Sequence, residues 1–166
     1  MRHLREISAI KENGYGTIKF RVSKELHPEL MSVAEQLENS IWENSRSALI
    51  QGRLFGELLA TTISIQEKLE PVFSTKQVDR LHKLVREGLL SEEIREKFEW
   101  LRWNGNTDAH DSRQIHADIA LTAHRHVFEL ACWYVELYGS LATELPKYQI
   151  PLKSFNPQLC QCSMLK

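Results

Sequence analysis

LRWNGNTDAH, Leu101 to His110, is the stretch on which the fold turns. It gathers Arg102, Asn104, Asn106, Asp108 and His110 around Gly105, and apolar helical patterns lie on both sides of it. Polar groups at this density cost desolvation energy unless they are paired. Gly105 predicts a break, so that one helix, beginning near Ser91, hands over to a long one capped by Asp111 or Ser112. The junction therefore reads in two ways. Its side chains are an internal polar network that fixes two helices, or they are a site.

Working back toward the N-terminus, each preceding segment carries a helical stripe. Ser91 is a cap, Glu92 and Glu93 suit the first turn, and Ile94, Phe98 and Leu101 face inward. Before that, Val78, Leu81, Leu84 and Val85 give a short helix. Ser74 and Gln77 at its start resemble a capping box, and Gly88 ends it. A long helix is expected over Ser45 to Glu70, stopped by Pro71. It carries Gly52 and Gly56 four apart, which suits a close helix crossing, and Arg53 and Glu57 four apart, which can pair. Pro28 opens the first helix, with Leu30, Val33, Leu37 and Ile41 as its stripe.

Toward the C-terminus, Ile115, Ile119, Ala123, Val127, Ala131 and Val135 make one broad apolar face ending near Tyr138 and Gly139. A face this wide predicts several neighbours, a partner subunit among them. Pro146, Pro151 and Pro157 then mark an irregular tail, docked by Ile150, Leu152 and Phe155. The divisions are an N-terminal arm over 1–24, a helical domain over 25–140 and a tail over 141–166. Strand content should be near zero: the pattern is an all-α bundle of about five helices.

A formal net charge of -1 gives no global field that would draw in nucleic acid, so such a role needs a local basic patch. Arg2 to Lys11 and Lys76 to Arg86 are the modest ones on offer. Cys132 sits in an apolar helical run, as a small core residue does. Cys160 and Cys162 lack a second ligand pair, so neither a disulfide framework nor a metal site is expected, and the cytoplasm is the expected location. No apolar run is long enough to span a membrane. His124 and His126, two apart on a helix, diverge too far to share a metal ion. There is no phosphate-binding Gly-rich loop with Lys, no serine-nucleophile elbow and no paired-carboxylate pattern, and no cofactor is implied.

On one straight helix Arg102 and His110 would be about 12 Å apart in rise. A bend at Gly105 brings them back together. Arg can hold a phosphate and His can move a proton near neutral pH, so the pair suits metal-independent cleavage of RNA at its 2′-hydroxyl. Asn106 would support them. Alternatively Arg102 pairs with Glu57 or Asp108 and the junction is purely structural. Trp100, Trp103 and Trp133 can stack on bases, or serve as core or interface aromatics.

The run IREKFEWLRWNGNTDAH resembles the helical domain of unknown function found near the front of type I restriction enzyme R subunits and related helicases. Arg102, Gly105, Asn106, Ala109 and His110 carry that likeness. SALIQGRLFGELL is similar to the same family's Arg-x-x-x-Glu helix, with Arg53 and Glu57 in place. HPELMSVAEQLENSIWENS resembles its opening helix and ACWYVELYG its closing one. The resemblance implies a distant HEPN-like bundle. Many HEPN domains are dimers, and some are RNases with an Arg-x(four to six)-His motif; here seven residues separate Arg102 from His110.

Three functions follow as expectations. The first is a homodimeric interaction or assembly module of a restriction or antiviral-defence system, with RNA, DNA or a restriction or helicase-type protein as partner. The second is a metal-independent endoribonuclease using Arg102 and His110. The third is a structural or regulatory protein-interaction domain, with Arg53, Glu57 and Asp108 as its polar network.

Overall fold

A computed structural model describes residues 26–69, 73, 75–106, 115–140 and 143–153. Among these residues there are five helices and no strand. They are α1 (Pro28–Ser40), α2 (Ser45–Gln66), α3 (Gln77–Arg86), α4 (Glu92–Gly105) and α5 (Ala117–Tyr138). The all-α expectation holds. The arm over 1–24 lies outside the described residues.

Helix α2 is the axis of the bundle and packs against each of the other four. The α1 stripe read from the sequence is fully used: Leu30, Val33, Leu37 and Ile41 are all buried. Asn44 caps α2 by accepting a hydrogen bond from the Ser47 N–H at 3.0 Å. Phe55, Leu59 and Ile63 continue the core along α2, and Phe98 and Leu101 meet it from α4. Ala120, Ala123, Val127, Leu130 and Ala131 line the inner face of α5.

Two helix ends differ from expectation. Helix α2 stops at Gln66, before Glu70 and Pro71. Lys68 adopts φ 56°, and the Lys68 and Leu69 N–H groups bond back to the Ile65 and Ser64 carbonyls. This is a Schellman stop built on a lysine in the left-handed region, so the chain turns before any proline is needed. Helix α3 ends by the same device on Gly88, at φ 74°. At the start of α3 Lys76 holds the cap position without a side-chain bond. Ser74 lies outside the described residues, and Gln77 Nε2 donates to the Gly56 carbonyl at 3.2 Å rather than closing a capping box.

The beginning of α5 also shifts. Ile115 and His116 are non-helical, so the helix starts at Ala117 rather than at Asp111 or Ser112, which lie outside the described residues. In the tail, Ile150 and Leu152 are exposed. Residues 143–153 dock instead through Leu145 and Tyr148, and Pro151 is buried. The Tyr148 ring packs on Phe128 at 5.3 Å between centroids, and its hydroxyl lies 3.2 Å from His124 Nδ1. A tyrosine serves this position better than an aliphatic residue, because its tip can satisfy a buried polar group. Phe155 lies outside the described residues.

Helix α4 ends at Gly105, as the sequence predicts, and that last residue is buried. A Cβ there would lie 2.4 Å from Arg53 Cβ and 2.6 Å from the Leu49 carbonyl oxygen. The missing side chain is what lets α4 lie against α2. At Gly52 a Cβ would meet Leu101 at 3.1 Å, Leu37 at 3.3 Å and Ala123 at 3.5 Å, so three other helices converge on that position. Gly56 has only ordinary contact, with Phe98 at 3.6 Å. The close crossing expected at Gly52 and Gly56 is therefore needed at Gly52 and at Gly105.

These distances give opposite signs for one chemical change. Gly56→Ala should raise the unfolding free energy by up to about 1 kcal/mol through helix propensity. Gly105→Ala should lower it by about 1–3 kcal/mol, because the backbone of α2 must yield. Urea unfolding of the two variants checks both. Lys68→Gly should stabilise by about 0.5–1 kcal/mol, since it removes the left-handed penalty of a side chain. An unchanged midpoint would count against that account of the α2 stop.

Candidate functional site

Two polar groups flank the Gly105 crossing. The first is built on α2. Arg53 and Glu57 pair as their spacing predicts, with Nε donating to the carboxylate at 2.8 Å. Arg53 Nη1 also donates to Asn106 Oδ1 at 3.0 Å. Because Gly105 has no side chain, the Arg53 stem can lie over the end of α4 and reach the residue that follows it. Asn106 is thus held by Arg53 rather than by Arg102.

The second group is built within α4. Arg102 Nε and Nη2 both donate to Glu99 Oε2, at 2.9 and 2.7 Å. The partner expected from the sequence was Glu57 or Asp108. Glu99 takes the role because it sits three residues back on the same helix face. The Arg102 guanidinium also lies 4.6 Å from the Trp103 ring centroid. Trp103 itself is 67% exposed. Asn104 turns inward to its own helix and donates to the Trp100 carbonyl at 2.9 Å. His110 and Asp108 lie outside the described residues.

The other tryptophans serve the core. Trp133 meets Phe98 edge-on at 6.5 Å, and Trp100 meets the His126 ring at 4.9 Å. His124 and His126 point apart. His124 is buried, with Nε2 3.8 Å from the buried Glu38 carboxylate and its other nitrogen at Tyr148. His126 lies at the α4–α5 seam, 3.8 Å from Glu129. Lys97 bridges that seam, bonded to Glu93 at 3.0 Å and to Glu129 at 3.2 Å. Burial works against its charge, but these two carboxylates hold its ammonium above the usual value. Burial pushes the Cys132 thiol up to about 11, with Glu136 and Glu129 adding to the effect, so it has no thiolate character near neutral pH. Among the described residues no group of three His, Cys, Asp or Glu side chains is placed to hold a metal ion. No helix among them is long and apolar enough to cross a membrane.

Sequence reasoning missed Glu99 as the anchor of Arg102, although their spacing was visible. It also missed the Glu38–His124–Tyr148 array. There the only signal was Glu38 lying beside the apolar stripe of α1.

Burial lowers the His126 pKa below its ordinary value, against the pull of Glu129. The folded state therefore binds a proton less readily than the unfolded chain. Stability should be complete above pH about 6.5 and fall as the pH drops below it. In His126→Gln the slope just below that pH should flatten, as read by urea unfolding at a series of pH values.

A family model described as a domain of unknown function, DUF4145, matches residues 35–147, more than half of the chain. No curated protein and no solved structure matches it. The matched span runs from within α1 through the docked Leu145 and includes both polar groups at the crossing.

Proposed function

The chain belongs to the DUF4145 family, and we propose that it is a helical interaction module of a nucleic-acid-handling system, with single-stranded RNA or DNA bound at the Arg102–Trp103 face. The observation that carries this reading is Trp103, two thirds exposed with a guanidinium on its ring. A large aromatic left in water gains by stacking on a base. The adjoining cation favours a ligand that also carries phosphate. Glu99 holds Arg102 in place beforehand, which reduces the entropy lost on binding.

The order Arg53–Glu57, Arg102, Gly105–Asn106, His110 supports the finer parts of this proposal. These are kinship with HEPN domains and with the R-subunit domain, a homodimer, and a place in restriction or antiviral defence. Binding is favoured over endoribonuclease action because Arg102 already spends two hydrogen bonds on Glu99. A guanidinium engaged in this way is a weaker clamp for the charge that develops during cleavage.

Fluorescence anisotropy with labelled oligouridylate and oligothymidylate tests the reading. The full chain should bind, and Trp103→Ala should weaken binding about tenfold, a loss of roughly 1–3 kcal/mol, with its circular dichroism unchanged. No binding by the wild type, or unchanged binding by Trp103→Ala, overturns it. Cleavage of the RNA in EDTA that is lost in His110→Ala would replace it with the endoribonuclease reading.

A further inference from the structure

The docked segment, residues 143–153, contains no helix or strand. Leu145, Tyr148 and Pro151, three apart in sequence, are the side chains it turns to the bundle: the first two pack on the core and the third is buried. Glu144, Lys147, Ile150 and Lys153, also three apart, are exposed. A repeat of three is that of a polyproline-II chain, which is extended and makes no internal hydrogen bonds. Among the described residues no backbone hydrogen bond ties 144–153 to a helix. The segment is thus held as a bound peptide is held, by side chains set into a seat.

That seat is formed by α1 and α5, and it offers more than apolar surface. The Tyr148 ring lies 5.3 Å from the Phe128 ring and 5.6 Å from the His124 ring between centroids, with the Arg125 guanidinium 5.1 Å from its own centroid. Its hydroxyl is 3.2 Å from His124 Nδ1, and Nε2 of the same imidazole lies 3.8 Å from the Glu38 carboxylate. His124 and Glu38 are both buried. Aromatic faces, a cation and a polar partner for a hydroxyl therefore converge on one side chain, and tyrosine is the residue that uses all three.

The cost of ordering eleven residues opposes this docking, and three side chains with one hydroxyl contact favour it. A segment so weakly tied opens locally far more readily than the packed helices beneath it. Opening uncovers a seat that the helices already shape. An extended, proline-containing chain from outside can then enter it by the same contacts.

We propose that residues 143–153 are an exchangeable internal ligand, and that the seat of Glu38, His124, Arg125 and Phe128 takes an extended aliphatic-x-x-Tyr-x-x-Pro segment of a partner protein in their place. This goes beyond the nucleic-acid reading and uses no residue of the Arg102–Trp103 face, so either can fail without the other.

The test is anisotropy of a fluorescein-labelled peptide, TELPKYQIPLK, with the sequence of residues 143–153. The full chain carrying Leu145→Ala/Tyr148→Ala should bind it. The wild type should bind it about tenfold or more weakly, because its own segment competes at an effective concentration on the order of millimolar. The same peptide carrying Tyr148→Ala should lose binding to the variant chain. A peptide that binds neither protein, binds both equally, or binds as well without its tyrosine overturns the proposal. A second measurement needs no variant of the chain. Unlabelled peptide in excess, above about 1 mM, should move the Tyr148 and Ile150 amide resonances of the 15N-labelled wild type toward random-coil positions. Resonances that stay in place under that excess also overturn it.

Discussion

The close approach of α4 to α2 is the constraint from which the rest of the bundle follows. It depends on positions with no side chain. At Gly105 even a methyl group would collide with the α2 backbone, and at Gly52 it would press on side chains from α1, α4 and α5. Helix propensity alone disfavours glycine at both. The loss is offset by contact: Leu101 and Phe98 reach the α2 core without a gap, and well-packed apolar side chains are worth about 1.5–3 kcal/mol each.

The same approach organises the charges. With α4 drawn close, Arg53 can lie across the end of that helix and bond to Glu57 and Asn106 together. The Arg53–Glu57 pair alone, partly exposed, contributes little to stability. Its bond to Asn106 adds direction, because it ties the first residue after α4 to a turn of α2. The polar density that marks the junction is thus divided. Arg53, Glu57 and Asn106 serve the joint, while the part-buried Arg102 lies between Glu99 and the exposed Trp103 ring.

A second seam holds α5 in place by different means. Lys97 joins α4 to α5 through Glu129, and Tyr134 and Tyr138 tie α5 to the end of α2 through Gln66 and Glu67. Burial and the Glu67 bond push the Tyr138 phenol upward, so it remains a neutral donor at any ordinary pH. Tyr148 closes the other end over His124 and Phe128. The broad apolar face of α5 is therefore occupied within the chain, by α1, α2, α4 and the docked segment.

The periodicity of apolar residues by itself determined that the described part of the chain is helical, how many helices lie there, and which side of each is buried. Leu30, Val33, Leu37 and Ile41 needed no partner to be read as one stripe, because the helix repeat is a local property. Arg53 and Glu57 were legible for the same reason. What each glycine is for was decided only by the tertiary structure. Gly105 reads as a flexible break when its neighbours in sequence are all that is known; its true reason is a helix that arrives from fifty residues away. Which arginine holds Asn106, which tryptophan stays in water, and which tail residue covers His124 depend likewise on where separate helices meet. No local pattern records such distances, because they are set by packing between segments that the chain brings together only on folding.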